Sequence, residues 1–136
     1  MNQTAETIYA NSVVIDGLNV SIVDGVFLKR LSEAGISAIN HTIGMKENLS
    51  ECVKRISGIY RLIEKSPHAM LVETVEDIFK AKKEGLAGII LGFQNVQPLE
   101  NDLDLVRIYR KLGIKIIQLT YHFRNACGDG GIEALN

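Results

Sequence analysis

Cysteine is scarce in this chain, and what is missing narrows the choices first. Among 136 residues only Cys52 and Cys127 occur. They lie far apart and at no metal-ligand spacing, so neither a disulfide framework nor a cysteine metal site is expected. Neither sign of charge dominates: 15 Lys and Arg stand against 16 Asp and Glu, for a net charge of −1. Without a basic stripe, nucleic acid is excluded as an expected partner. No apolar run approaches the ~20 residues needed to cross a bilayer. Met1 to Gly17 has no charged start followed by an apolar core, so no signal peptide and no membrane association are expected. A cytoplasmic location is the resulting expectation. The three histidines show neither HxH nor HExxH spacing. At this length the chain is one domain at most, long enough to bury a core.

What is present is one phrase, used three times: a helical stretch, a glycine, then an apolar run. It reads Glu33-Ala34-Gly35-Ile36-Ser37-Ala38-Ile39, then Lys83-Glu84-Gly85-Leu86-Ala87-Gly88-Ile89-Ile90-Leu91, then Lys111-Leu112-Gly113-Ile114-Lys115-Ile116-Ile117-Gln118-Leu119. Glycine closes a helix in the left-handed conformation at little steric cost. A short β-branched run behind it suits a strand buried on both faces, as in a parallel sheet. The pattern predicts strands at Val13–Ile15, Ile36–Asn40, Ala69–Val72, Gly88–Gly92 and Lys115–Thr120. Asp16-Gly17 reads as the turn that closes the first strand. Helices are expected at about 26–34, from a capping box at Asn48-Leu49-Ser50-Glu51 to Lys65, from Thr74 to Gly85, and at about 101–112. Pro67 stops the second of these. The tail from Tyr121 to Asn136 carries no confident element. Five strands alternate with four helices, an α/β protein. Two architectures fit: the front part of a (β/α)8 barrel, and a five-stranded doubly wound sheet.

In either architecture, chemistry gathers just after the strands. That rule selects Asp16, His41, Glu73, Gln94, Asn95, His122, Asn125 and Asp129. A carboxylate with two imidazoles, Asp16 with His41 and His122, could hold a divalent cation such as zinc. Asp16 serves equally as a turn residue, and both histidines as solvated loop residues. His68 sits at the opposite end of its strand. Cys52 falls on an apolar helix face, and Cys127 has no neighbouring base in sequence to make it a nucleophile. Gly128-Asp129-Gly130-Gly131 is a flexible turn with no clear helix behind it to make a phosphate cradle. The run Gly92-Phe93-Gln94-Asn95 is more specific. Amides at the end of a buried strand suit a polar ligand, since they donate and accept. Gln118, inside an otherwise apolar strand, reads either as a polar interior layer or as a satisfied amide.

These segments together resemble a known family. Leu91-Gly92-Phe93-Gln94-Asn95, Pro98-Leu99-Glu100-Asn101-Asp102-Leu103, Leu112-Gly113-Ile114-Lys115-Ile116-Ile117-Gln118-Leu119-Thr120-Tyr121, Asn125 and Gly128-Asp129-Gly130 are similar to the membrane (renal) dipeptidases, zinc peptidases, and most of all to their divergent bacterial branch. Val14-Ile15-Asp16-Gly17-Leu18-Asn19-Val20 resembles the family's first strand and turn. The likeness spans nearly the whole chain but only the first half or less of the family domain. It implies a zinc-containing (β/α)8 barrel, a homodimer that hydrolyses dipeptides, and it favours the barrel over the doubly wound sheet. An isolated front part with open edges is expected to oligomerise or aggregate. The resemblance places the family's His-x-Asp metal pair at Leu18 and Val20, its metal-bridging glutamate at Gln94, and its substrate-contacting histidine at Tyr121. Asn95, Tyr121 and Asn125 would line the substrate pocket. The family's later metal histidines would lie beyond Asn136. Two-metal hydrolysis needs both cations. The expectation is therefore either an impaired metallohydrolase, or a non-catalytic relative that binds a small polar ligand.

Overall fold

Seven consecutive buried residues, Ala87–Phe93, make the axis of the fold. A strand buried on both faces must have strands at both edges and cover above and below. A computed structural model describes residues 4–133 and shows how this is met. Helix α1 (Ala5–Asn11) leads into β1 (Ile15–Asn19), α2 (Gly25–Glu33), β2 (Ala38–Gly44), α3 (Leu49–Lys65), β3 (Ala69–Leu71), α4 (Val75–Glu84), β4 (Ala87–Phe93), a 3-10 turn at Gln97–Leu99, α5 (Asp104–Lys111) and β5 (Ile114–Ile117). All the strand pairs are parallel.

The order of strands departs from their order in the chain. β2 pairs with the full length of β4, from Ala38 opposite Gly88 to Gly44 opposite Phe93. β3 and β5 share the other edge of β4: β3 lies against Ala87–Ile89 and β5 against Leu91–Phe93. The wall therefore runs β1-β2-β4-β5, and β3 is tucked beneath β5. The sheet does not close on itself. This is the expected open α/β wall, with β3 as an excursion from it.

Alternation along the strands sorts the two faces. Ile39, Ile43, Ile89, Leu91 and Phe93 pack with Leu28 of α2, Cys52 and Ile56 of α3, and Tyr109 of α5. Phe93 and Tyr109 meet edge to face at 4.7 Å, and the Tyr109 hydroxyl donates to the Pro98 carbonyl at 3.0 Å. The opposite face carries Ala38 and Ile90, which pack with Val72, just after β3, and with Ile78 of α4. A right-handed crossover explains why α4 alone takes this side. The step from β3 back to β4 runs against the direction of the other steps, so its helix emerges on the other face.

The helix ends follow the sequence signals. Asn48 and Glu51 form the reciprocal capping box of α3, and Thr74 with Asp77 does the same for α4. Gly35, Gly85 and Gly113 all have left-handed φ. One cap comes from a distance: Glu100, itself at φ 51°, accepts the Leu49 backbone N–H at 2.7 Å. A carboxylate there also complements the positive helix terminus.

Two sequence expectations need correction. The first strand is not Val13–Ile15 closed by a turn at Asp16-Gly17; both turn residues lie inside β1. Turn composition misled because the Asp16 side chain bonds two and three residues ahead within an irregular strand. The second strand runs to Gly44 rather than Asn40, so His41 is in the strand, not after it. Helix α1 carried no amphipathic signal: it has seven residues, none of them buried. The last residues of the expected tail, 134–136, and the start, 1–3, lie outside the described residues.

Candidate functional site

The carboxyl ends of β4 and β5 place an amide cluster at one rim of the sheet. Gln94 follows β4 directly and is 3% exposed, with its backbone N–H held by the Gly44 carbonyl at 2.9 Å. Asn95 accepts from Asn125 Nδ2 through its Oδ1 at 2.8 Å, and from the Gln97 backbone N–H at 3.3 Å. Asn125 also donates to the Leu119 carbonyl at 2.8 Å, and its Oδ1 accepts the Cys127 N–H at 2.7 Å. Asn125 thus ties the segment after β5 to the segment after β4. Its backbone makes a two-way bridge with Gly128. Gln118 is not inside a strand; it follows β5, and its amide donates to the Thr120 carbonyl at 2.7 Å.

Tyr121 is half-buried, and its ring stacks against His122 at 3.8 Å. His122 itself is exposed. Asp129 pairs with Arg124 at 2.5 Å on the surface. The Asp16 carboxylate is engaged locally, accepting the Leu18 N–H at 3.2 Å and Asn19 Nδ2 at 2.9 Å.

His41 sits elsewhere. It shares the Ile39 and Ile43 face of β2, under α3, and is 9% exposed. Burial first, and then the Arg55 charge, hold its pKa below the ordinary imidazole value. Its Nδ1 has no hydrogen-bond partner. The imagined set of Asp16, His41 and His122 is therefore one carboxylate occupied within β1, one buried ring beneath a helix, and one surface ring. Among the described residues, no group of three or more His, Cys, Asp and Glu side chains is placed to hold a metal ion.

Leu18 and Val20, at the family's His-x-Asp positions by resemblance, are 43% and 68% exposed. Neither side chain has an atom that could ligate a cation, and the neutral amide of Gln94 bridges two cations poorly. The residues present in this part of the site do not fit the zinc pair.

Sequence reasoning missed Asn40. It is buried on the face opposite His41, and its Nδ2 donates to the Gly17 carbonyl at 3.0 Å, joining β2 to β1. Its Oδ1 has no partner, and neither has Thr42 Oγ1 on the same face. A Cβ on Gly92 would lie 2.2 Å from Asn40 Oδ1, so the bare β4 backbone at Gly92 makes room for that amide. An asparagine in the middle of a buried strand was the available signal.

An open parallel α/β wall with polar groups gathered after its strands has the form of part of an α/β barrel. The sequence profile of the membrane dipeptidases (peptidase family M19) matches residues 26–135. The chain belongs to this family. Among solved structures, an amidohydrolase from Pseudomonas aeruginosa superposes with a TM-score of 0.89 and 32% identity, over 95% of this chain and 40% of that one. The probable dipeptidase PvdM from Pseudomonas aeruginosa superposes with a TM-score of 0.77 and 15% identity, over 92% of this chain and 38% of that one. This chain thus spans about two fifths of the length of each. No curated protein matches the sequence. Both superpositions favour the barrel wall over a doubly wound sheet. No helix among the described residues is long and apolar enough to cross a membrane.

Proposed function

We propose that this chain is the first part of a dipeptidase-like hydrolase barrel that has given up the family's first metal pair, and that its rim binds a small polar, dipeptide-like ligand without two-metal hydrolysis. The observation that carries this is the pairing of lost donors with a built amide rim. Leu18 and Val20 offer hydrocarbon where the resemblance places a metal pair, while Asn95 and Asn125 are locked together at 2.8 Å between the ends of β4 and β5. Asn125 spends both Nδ2 hydrogens on Asn95 and Leu119, so it offers a peptide group the second lone pair of its Oδ1, and Asn95 offers its Nδ2. Asn40 Oδ1 and Thr42 Oγ1, buried without partners, add unused acceptors on the opposite face from His41. In the family, zinc activates water and polarises the scissile carbonyl; the side chains here can orient a peptide but cannot share that load. The open β1 and β5 edges also favour association with further strands, from a second copy or from more of the barrel.

The test is metal analysis of the purified protein, with chromatographic assay of a dipeptide panel and calorimetric titration of the same dipeptides. The expected result is no stoichiometric zinc, no cleavage, and saturable binding that Asn125→Ala weakens about five- to tenfold, the loss of a hydrogen bond worth ~1 kcal/mol. Two tightly held zinc ions, or turnover, would overturn the loss of metal chemistry. Absence of saturable binding would overturn the ligand reading.

A further inference from the structure

A groove of about 630 Å³ lies between α3 and the segment that joins β1 to α2, on the helix-bearing side of β2. That size is within the range of small-molecule sites. Its apolar lining includes Val23, Ile43, Ile59 and Leu62, with His41 among them. Asn95 and Asn125 are not in its lining, so it stands apart from the amide rim, although Thr42 and Val20 contribute to its edge.

Two features set this groove apart from a packing gap. The first is His41, more than nine-tenths buried and with Nδ1 unpartnered. Orphaned buried N–H groups are rarer in folded proteins than acceptors with an unused lone pair. A neutral ring with its proton on Nε2 spares the buried Nδ1 an orphaned N–H. His41 lines the groove, and Nε2, unlike Nδ1, is not among the fully buried unpartnered atoms. The second is Gly58, in the middle of α3, where an added Cβ would meet nothing within 4 Å. Glycine in a helix interior costs ~1 kcal/mol relative to alanine, and no close packing here requires it. What it does is leave the groove wall open.

The charges at the rim cancel. Arg55 is paired with Glu47 at 2.6 Å and donates to the Ile43 carbonyl at 3.1 Å. The Asp24 carboxylate is occupied as the N-cap of α2, accepting the Phe27 N–H at 2.7 Å. A charged ligand gains little there.

We propose that this groove is a binding site for a small neutral aliphatic amide, its carbonyl oxygen accepting from His41 Nε2 and its branched chain lying on Ile43, Ile59 and Leu62. A carboxylate of the same shape binds more weakly, because Asp24 and Glu47 offset Arg55.

The experiment uses 4-methylpentanamide as probe, with 4-methylpentanoate as its charged counterpart. Binding is followed by the ring ¹⁵N resonances of His41 in the full chain. The expected result is a saturable shift of the His41 resonances with the amide, at least about threefold weaker with the carboxylate. Gly58→Phe, which fills the groove from a position with free space, should abolish the shift while keeping or raising Tm. Gly58→Ala should keep the binding. No His41 shift at tens of millimolar amide, tighter binding of the carboxylate, or an unchanged shift in folded Gly58→Phe each overturns the proposal.

Discussion

Gly113→Ala should cost this protein more than the same substitution at Gly85, although both glycines close a helix with left-handed φ (91° and 67°). Backbone strain is common to the two. An L-residue forced into that region pays ~1–2 kcal/mol. At Gly85 nothing lies within 4 Å of an added Cβ, so strain is the whole effect. At Gly113 the new Cβ would stand 2.6 Å from the Tyr60 hydroxyl, which donates to the Leu112 carbonyl at 2.9 Å. The ring must move and that bond breaks, adding about 1 kcal/mol. The total is about 2–3 kcal/mol. With an unfolding entropy of ~2.1 cal/mol/K per residue, a chain this long loses roughly 3–4 °C of Tm per kcal/mol. Thermal melts followed by circular dichroism should therefore show a fall of about 7–11 °C for Gly113→Ala and about 4–7 °C for Gly85→Ala. Tyr60→Phe removes the hydrogen bond and the clash together. Its effect should then be largely contained in that of Gly113→Ala, so the double variant melts close to Gly113→Ala alone. Equal falls at both glycines, or strict additivity with Tyr60→Phe, would refute the assignment of Tyr60 as the obstacle.

Stability should also fall as pH drops below about 6.5, the ordinary imidazole value. Burial, then the Arg55 charge, lower the His41 pKa in the fold, so below that pH the unfolded chain binds more protons than the folded chain. Urea midpoints between pH 7.5 and 5 should slope less in His41→Gln; an identical slope would contradict the buried ring. Gly92→Ala should destabilise by ~1–3 kcal/mol, since its Cβ meets Asn40 Oδ1, and Asn40→Ala should relieve part of that cost in the double variant. Glu100→Ala should cost about 1 kcal/mol by freeing the Leu49 N–H at the start of α3, read as a lower denaturant midpoint; no change would show that water serves that donor equally well.

Much of the fold was legible because its signals are local. The capping box at Asn48, the cap at Thr74 and the glycines at 35, 85 and 113 each act within a few residues, and each helix they bound was placed to within about three residues. β4 was legible because an unbroken apolar run has few other uses. β1 was not, since Asp16-Gly17 has turn composition and only pairing with β2 makes it a strand. The strand order was not legible either. Nothing near Ala69–Leu71 shows that β5 will occupy the rest of the same edge of β4. Of the site, the rule that polar groups collect after strands picked out Asn95 and Asn125 singly; the bond between them is read from the structure. The separation of His41 from Asp16 and His122 did not. It depends on the parity of a residue within β2, and a strand end placed four residues short hid that parity. Asn40 was hidden by the same error.

The backward step from β3 to β4 has an effect on access. By roofing Ala38 and Ile90, α4 stoppers one half of the face that bears Asn40. The half that α4 leaves uncovered is the one where the Asn40 amide lies against the Gly92 backbone. A detour of three residues in the sheet thereby decides which half of that face the helix leaves uncovered.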